Sequence, residues 1–141
     1  MVKKVDSLND QSADLLFTQT DSSRWYAHEA LIASEKLGLP EFKATCYQNL
    51  ALTHHVQGSY AEAIAHYNMA MDLRRGTSDE PKIAGILNNI ASIYTSKGDY
   101  SNALELYQES LKMKESQNDS AGIANTLNNI GIVHFENNNL S

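Results

Sequence analysis

The 141-residue chain has only two prolines, seven glycines and one cysteine. So few helix breakers leave long uninterrupted segments, and no stretch carries the glycine spacing of a phosphate-binding loop. The single cysteine, Cys46, leaves no internal disulfide, which fits a reducing compartment. Basic residues are outnumbered eleven to seventeen, giving a net charge of -6 that repels phosphate backbones and argues against nucleic acid as a direct partner. Long apolar runs are absent too. No window approaches the roughly 20 apolar residues of a membrane span, so no membrane contact by this segment is expected. Lys3 and Lys4 stand near the start with no apolar stretch behind them, so no signal peptide is expected, and a cytoplasmic location is expected, or a periplasmic one if a leader has been removed.

What the chain has instead is a repeat. Leu87-Asn88-Asn89-Ile90-Ala91-Ser92-Ile93-Tyr94 returns forty residues later as Leu127-Asn128-Asn129-Ile130-Gly131-Ile132-Val133-His134, and forty earlier as Tyr47-Gln48-Asn49-Leu50-Ala51-Leu52-Thr53-His54. A fixed period of this size means stacked units sharing a core, with function on the stacked surface. Small and aromatic residues coincide by column: Ala51, Ala91 and Gly131; Gly58 and Gly98; Ala63 and Ala103; Tyr67 and Tyr107. Residues 3 to 18 fit poorly, as a terminal unit that turns one face to water would.

Within each unit the pattern reads as two helices and a short turn. Leu87, Ile90, Ala91 and Tyr94 share one helical stripe, as do Ala103, Leu104, Tyr107 and Leu111. Between them Gly98 suits a left-handed helix end and Asp99 suits a cap. Pro81 fits a first helical turn, Asp119-Ser120 offers further caps, and Gly38 and Gly76 are placed to end helices. Helices are expected near 22–37, 41–57, 60–75, 81–97, 100–117 and 121–136, with a weaker one near 6–17. No segment alternates like a strand.

On the columns Leu87, Ile90-Ala91, Tyr94, Ala103 and Tyr107, residues 20 to 141 resemble the tetratricopeptide family. The period is forty rather than about 34, and no proline closes each unit. Longer units with Leu-Asn-Asn at this place are similar to those of kinesin light chains and of bacterial signalling proteins, including sensor segments of histidine kinases and peptide-responsive regulators. The resemblance implies an all-α fold, a right-handed superhelical solenoid of antiparallel helix pairs. It comprises about three and a half repeats in a single domain over 1–141: a divergent 1–40, then 41–80, 81–120 and a truncated 121–141. It also implies a non-catalytic interaction module for a protein or peptide partner, acting within a larger signalling protein.

Asparagine costs a helix interior about 0.5 kcal/mol or more against alanine, so its return at 49, 89 and 129 asks for a reason. In the family this asparagine faces a concave groove and bonds the main chain of a bound peptide, a task suited to an amide that both donates and accepts. The alternative is that Asn49, Asn89 and Asn129 brace neighbouring helices, as in a scaffold or self-association domain without a peptide ligand. Asn88, Asn128 and Gln48, one position earlier, are expected to be solvated. If the first helix of each unit lines the groove, Thr45 and Asn125 lie one turn to one side, Ser92 to the other, and His55 and Thr95 beyond. This floor lacks the basic cluster that would clamp a terminal carboxylate, so an extended internal segment suits it better.

Nothing converges for catalysis, and no cofactor or metal is expected. His54 and His55 point about 100° apart on a helix and do not share an ion. Glu62 and His66 read as a surface pair, Cys46 as a half-buried inert thiol, and Trp25 with Tyr26 as a cap on the core. The chain ends where the second helix of the last unit would begin, so a fragment of a longer protein is expected. The bared stripe of Leu127, Ile130, Gly131 and His134 is then expected to make a homodimer or lattice contact.

Overall fold

The structure is a computed structural model that describes residues 2–16, 18–77 and 80–138. Every regular element among them is an α-helix: α1 (Val2–Leu15), α2 (Thr20–Leu37), α3 (Pro40–Val56), α4 (Tyr60–Thr77), α5 (Glu80–Ser96), α6 (Tyr100–Ser116) and α7 (Ser120–Asn138). They form an all-α helical repeat solenoid. Two compact units divide the chain, Met1–Ser78 with α1 to α4 and Asp79–Ser141 with α5 to α7. In each, consecutive helices pack on one another and alternate helices touch, α1 with α3 and α5 with α7.

The turns follow from the residues that form them. Gly58 and Gly98 take φ of +78° and +79°, a left-handed conformation that costs an L side chain roughly 1–2 kcal/mol. The next amides close each helix in the same way: Ser59 N–H donates to His54 C=O at 2.8 Å, and Asp99 N–H to Tyr94 C=O at 2.9 Å. Asp99 then caps α6, accepting from Asn102 N–H at 3.4 Å, and Asp119 caps α7, accepting from Gly122 N–H at 3.0 Å. Gly38 ends α2 in the left-handed conformation. Gly76 does not end α4, which runs on to Thr77.

The matched columns are the packing columns. Ala51, Ala91, Ala63 and Ala103 are all fully buried, so the two helices of each pair meet across small side chains. In the second unit Ala91, Ala103, Tyr107 and Val133 form the core, with Tyr94, Leu104, Leu106 and Ile130 packed around it. In the first, Val5, Ala30, Ala33 and Cys46 play that part, flanked by Leu8, Leu31, Leu37 and Phe42.

α1 is longer and earlier than the weak helix expected near 6–17. Its buried stripe, Val5, Asn9 and Ser12, continued by Leu16 just past the helix end, has helical spacing but is half polar, so a search for apolar periodicity passes over it. The polar members are bonded: Ser12 Oγ donates to Ser23 C=O at 2.8 Å, and Asn9 Oδ1 accepts from Asn49 Nδ2 at 3.1 Å. Trp25 also departs from expectation. It is 56% exposed, with its ring edge-on to Tyr26 at 5.0 Å, and caps no core. No described helix is long and apolar enough to cross a membrane.

Candidate functional site

Within each unit the first helices of its two repeats lie side by side, α1 by α3 and α5 by α7, and a niche opens between them. Between α5 and α7 it is a cleft of about 220 Å³, walled by Ser92, Thr95 and Ser96 on one side and Asn129, Ile132 and Glu136 on the other, with Tyr107 of α6 as its floor. Between α1 and α3 the niche shrinks to about 50 Å³. Its residues Ser12, Leu16, Asn49 and Leu52 stand two periods before Ser92, Ser96, Asn129 and Ile132. The same backbone positions thus make both niches. The first is closed because Leu16 replaces a serine and because Asn49 and Ser12 are tied to Asn9 and Ser23.

The asparagine column accordingly divides. Asn49 is engaged within the protein. Asn89 and Asn129 are half-buried, and among the described residues neither side-chain amide has a protein hydrogen-bond partner. An open amide both donates and accepts, so each can pair with a polar ligand in place of solvent. The cleft adds further hydrogen-bonding groups. Tyr107 is 3% exposed, and burial pushes its phenol up from the ordinary value; the hydroxyls of Thr95 and Ser92 act the other way, while the Glu136 charge adds to the rise. The neutral phenol therefore remains a donor throughout the physiological range. Thr95 Oγ1 donates to Ala91 C=O at 3.0 Å and lines the cleft.

Of the residues expected in a groove, the α5/α7 cleft brings together Ser92, Thr95 and Asn129. Asn125 is exposed on α7 outside the cleft lining. Thr45 is turned toward α4: its hydroxyl donates to Glu41 C=O at 3.2 Å and accepts from the Arg74 guanidinium at 2.9 Å. His55 is half-buried and meets Tyr60 edge-on at 6.0 Å, and burial lowers its imidazole pKa.

The shoulder residues correct the expectation of solvation, with the exception of Asn128, which is exposed. Gln48 accepts from buried Arg74 at 2.8 Å, and Asn88 Nδ2 donates to Thr126 Oγ1 of α7 at 3.3 Å. Both point sideways into a helix contact because this shoulder faces a neighbouring helix. Thr126 also accepts from the Lys114 ammonium at 3.1 Å, so one buried hydroxyl serves two donors. Cys46 is fully buried rather than half-buried, and burial pushes its thiol up, the inert state. His66 bonds the Glu62 main-chain carbonyl at 2.8 Å, not the carboxylate. On α7, Leu127 is 51% exposed, and Gly131 and His134 are exposed.

Asn9, Ser96, Tyr107 and Glu136 are among the site residues that sequence reasoning missed. Asn9 lies forty residues before Asn49, so the period itself pointed to it. Tyr107 was read as core, which it is, but its hydroxyl end reaches the cleft. No group of three or more His, Cys, Asp or Glu side chains among the described residues is arranged to hold a metal ion.

Two family models, each described as "Tetratricopeptide repeat", match residues 43–78 and 82–141. No curated protein matches in sequence. Among solved structures, aspartyl phosphate phosphatase F from Bacillus subtilis is similar over 99% of this chain and 37% of its own, at 19% identity and a TM-score of 0.90. BtubC (BKLC) from P. vanneervenii is similar over 82% of this chain and 49% of its own, at 23% identity and a TM-score of 0.75. The chain thus spans less than half the length of either. At these identities the likeness is one of fold.

Proposed function

Because the chain belongs to the tetratricopeptide repeat family, whose repeats mediate protein–protein interactions, we propose that it is a non-catalytic module that binds an extended peptide segment on the face formed by the first helices α5 and α7. The observation that carries this reading is the α5/α7 cleft, where Asn129, Ser92, Thr95 and the Tyr107 hydroxyl converge around an open volume of about 220 Å³. Donors and acceptors of this kind match a peptide main chain without requiring a particular side chain. The net charge of -6 favours a protein partner over nucleic acid. A role as the sensory or regulatory part of a larger signalling protein belongs to the same proposal. A display library of random peptides, selected on the wild-type chain and counter-selected on Asn129→Ala, tests the reading. Enrichment of peptides that lose binding to the variant at unchanged melting temperature is expected; no enrichment would refute it.

One observation favours a second reading. Asn49 braces α3 against α1 through Asn9, so the column also serves the stack, as a scaffold or self-association domain would use it. The exposed Leu127 and Phe135 of α7 suit a homodimer contact on the same reading. In that case alanine at Asn129 lowers stability and no peptide is recovered.

A further inference from the structure

Three helices of the first unit bring histidines to one place. His54 of α3 and His66 of α4 stack with ring centroids 5.1 Å apart and planes 17° from parallel, and the Tyr47 ring lies 6.1 Å from that of His66, tilted by 38°. α2 contributes Arg24, His28 and Glu29 to the same neighbourhood, and α4 contributes Glu62. Arg24 is held against α3, its Nε donating to Thr53 Oγ1 at 3.3 Å and its terminal nitrogen to Gln57 Oε1. The stacked rings present faces rather than nitrogens to one another, so a shared metal ion does not explain them. A carbonyl only accepts, so His66 Nδ1 carries the proton donated to Glu62 C=O.

We propose that the stacked His54–His66 pair, with Arg24 and His28 beside it, is an acid-sensitive latch on the packing of α2, α3 and α4: charging the rings sets cations against one another and loosens the α3–α4 hairpin. The second unit supplies an internal contrast. Tyr94 and Leu106 occupy the columns of His54 and His66, and both pack on the core. Burial lowers the His54 pKa most, Arg24 and His66 lower it further, and only Glu62 opposes them. His28, exposed on α2, is lowered in the same direction, first by partial loss of solvation against its neighbours and then by His66 and Arg24, against Glu29. A base whose folded pKa lies below its unfolded value of about 6.5 binds fewer protons folded than unfolded. Its stability contribution is present above that pH and is lost as pH falls.

The test is amide hydrogen exchange on the full chain at pH 7.5 and 5.5, corrected for the intrinsic pH dependence of exchange, with imidazole NMR titrations alongside. Protection of α3–α4 is expected to fall on acidification, about tenfold for each pKa unit separating folded from unfolded histidine, while α5–α6 holds. The substitutions His54→Tyr and His66→Leu, borrowed from the second unit, should flatten that dependence, and His66→Leu should move the His54 titration upward. Equal loss in both hairpins, or an unchanged pH profile in both variants, would overturn the proposal. If either variant fails to fold, His66→Gln on its own decides by the same profile.

Discussion

Asn49 and Asn129 share a column of the repeat, yet alanine should affect them in opposite directions. Asn49 Nδ2 donates to Asn9 Oδ1 at 3.1 Å, and Asn9 is only 7% exposed. Asn49→Ala removes the donor and strands a buried acceptor, a cost of about 1–3 kcal/mol. Better helix propensity returns about 0.5 kcal/mol, so a net loss of roughly 1–2 kcal/mol is expected. Asn129 has no such partner among the described residues, and Asn129→Ala keeps only the propensity term, leaving stability unchanged or raised by about 0.5 kcal/mol. Urea unfolding followed by far-ultraviolet circular dichroism reads both. The double variant Asn9→Ala/Asn49→Ala adds a check, because the pair should show a coupling of about 1 kcal/mol. Equal destabilisation by Asn49→Ala and Asn129→Ala would refute the division of the column into a bracing and an open member.

Two further substitutions test the frame that holds the site. Gly98→Ala forces a side chain into the left-handed region at φ of +79° and should cost roughly 1–2 kcal/mol, read as a lowered melting temperature, although a Cβ there meets nothing within 4 Å. Thr126→Val removes the hydroxyl that accepts from both Lys114 and Asn88, so a loss of about 1–3 kcal/mol is expected in urea unfolding. Lys114→Met in that background should recover part of it, since the stranded buried cation is then gone.

The fold was legible in the sequence because its period is carried by packing residues. Ala51, Ala91, Ala63 and Ala103 recur for one physical reason, the close approach of two helices, and burial confirms each. α1 was faint because half of its inward stripe, Asn9 and Ser12, reaches the core through hydrogen bonds that hydrophobic periodicity does not register. Trp25 misled for the converse reason. Its column holds Ala65 and Glu105 in the later units, an outward position, and aromatic character alone does not turn a side chain inward. Buried Arg74 and Lys114 share a column with Ser34, and no single sequence reveals that their acceptors wait on the neighbouring helix. The cleft itself was half legible. Ser92, Thr95 and Asn129 follow from helical geometry, whereas Tyr107 and Glu136 required knowing how α6 and α7 close around α5.

The central claim is that the open asparagines of the first helices receive a peptide main chain. Side-chain amide resonances of the full chain, recorded with and without a peptide selected on it, test this most directly. Shifts at Asn89 and Asn129, with the bonded Asn49 amide and the outward-facing Trp25 indole unmoved, are the predicted result. Shifts centred on Trp25 and the second helices, with Asn89 and Asn129 silent, would contradict it.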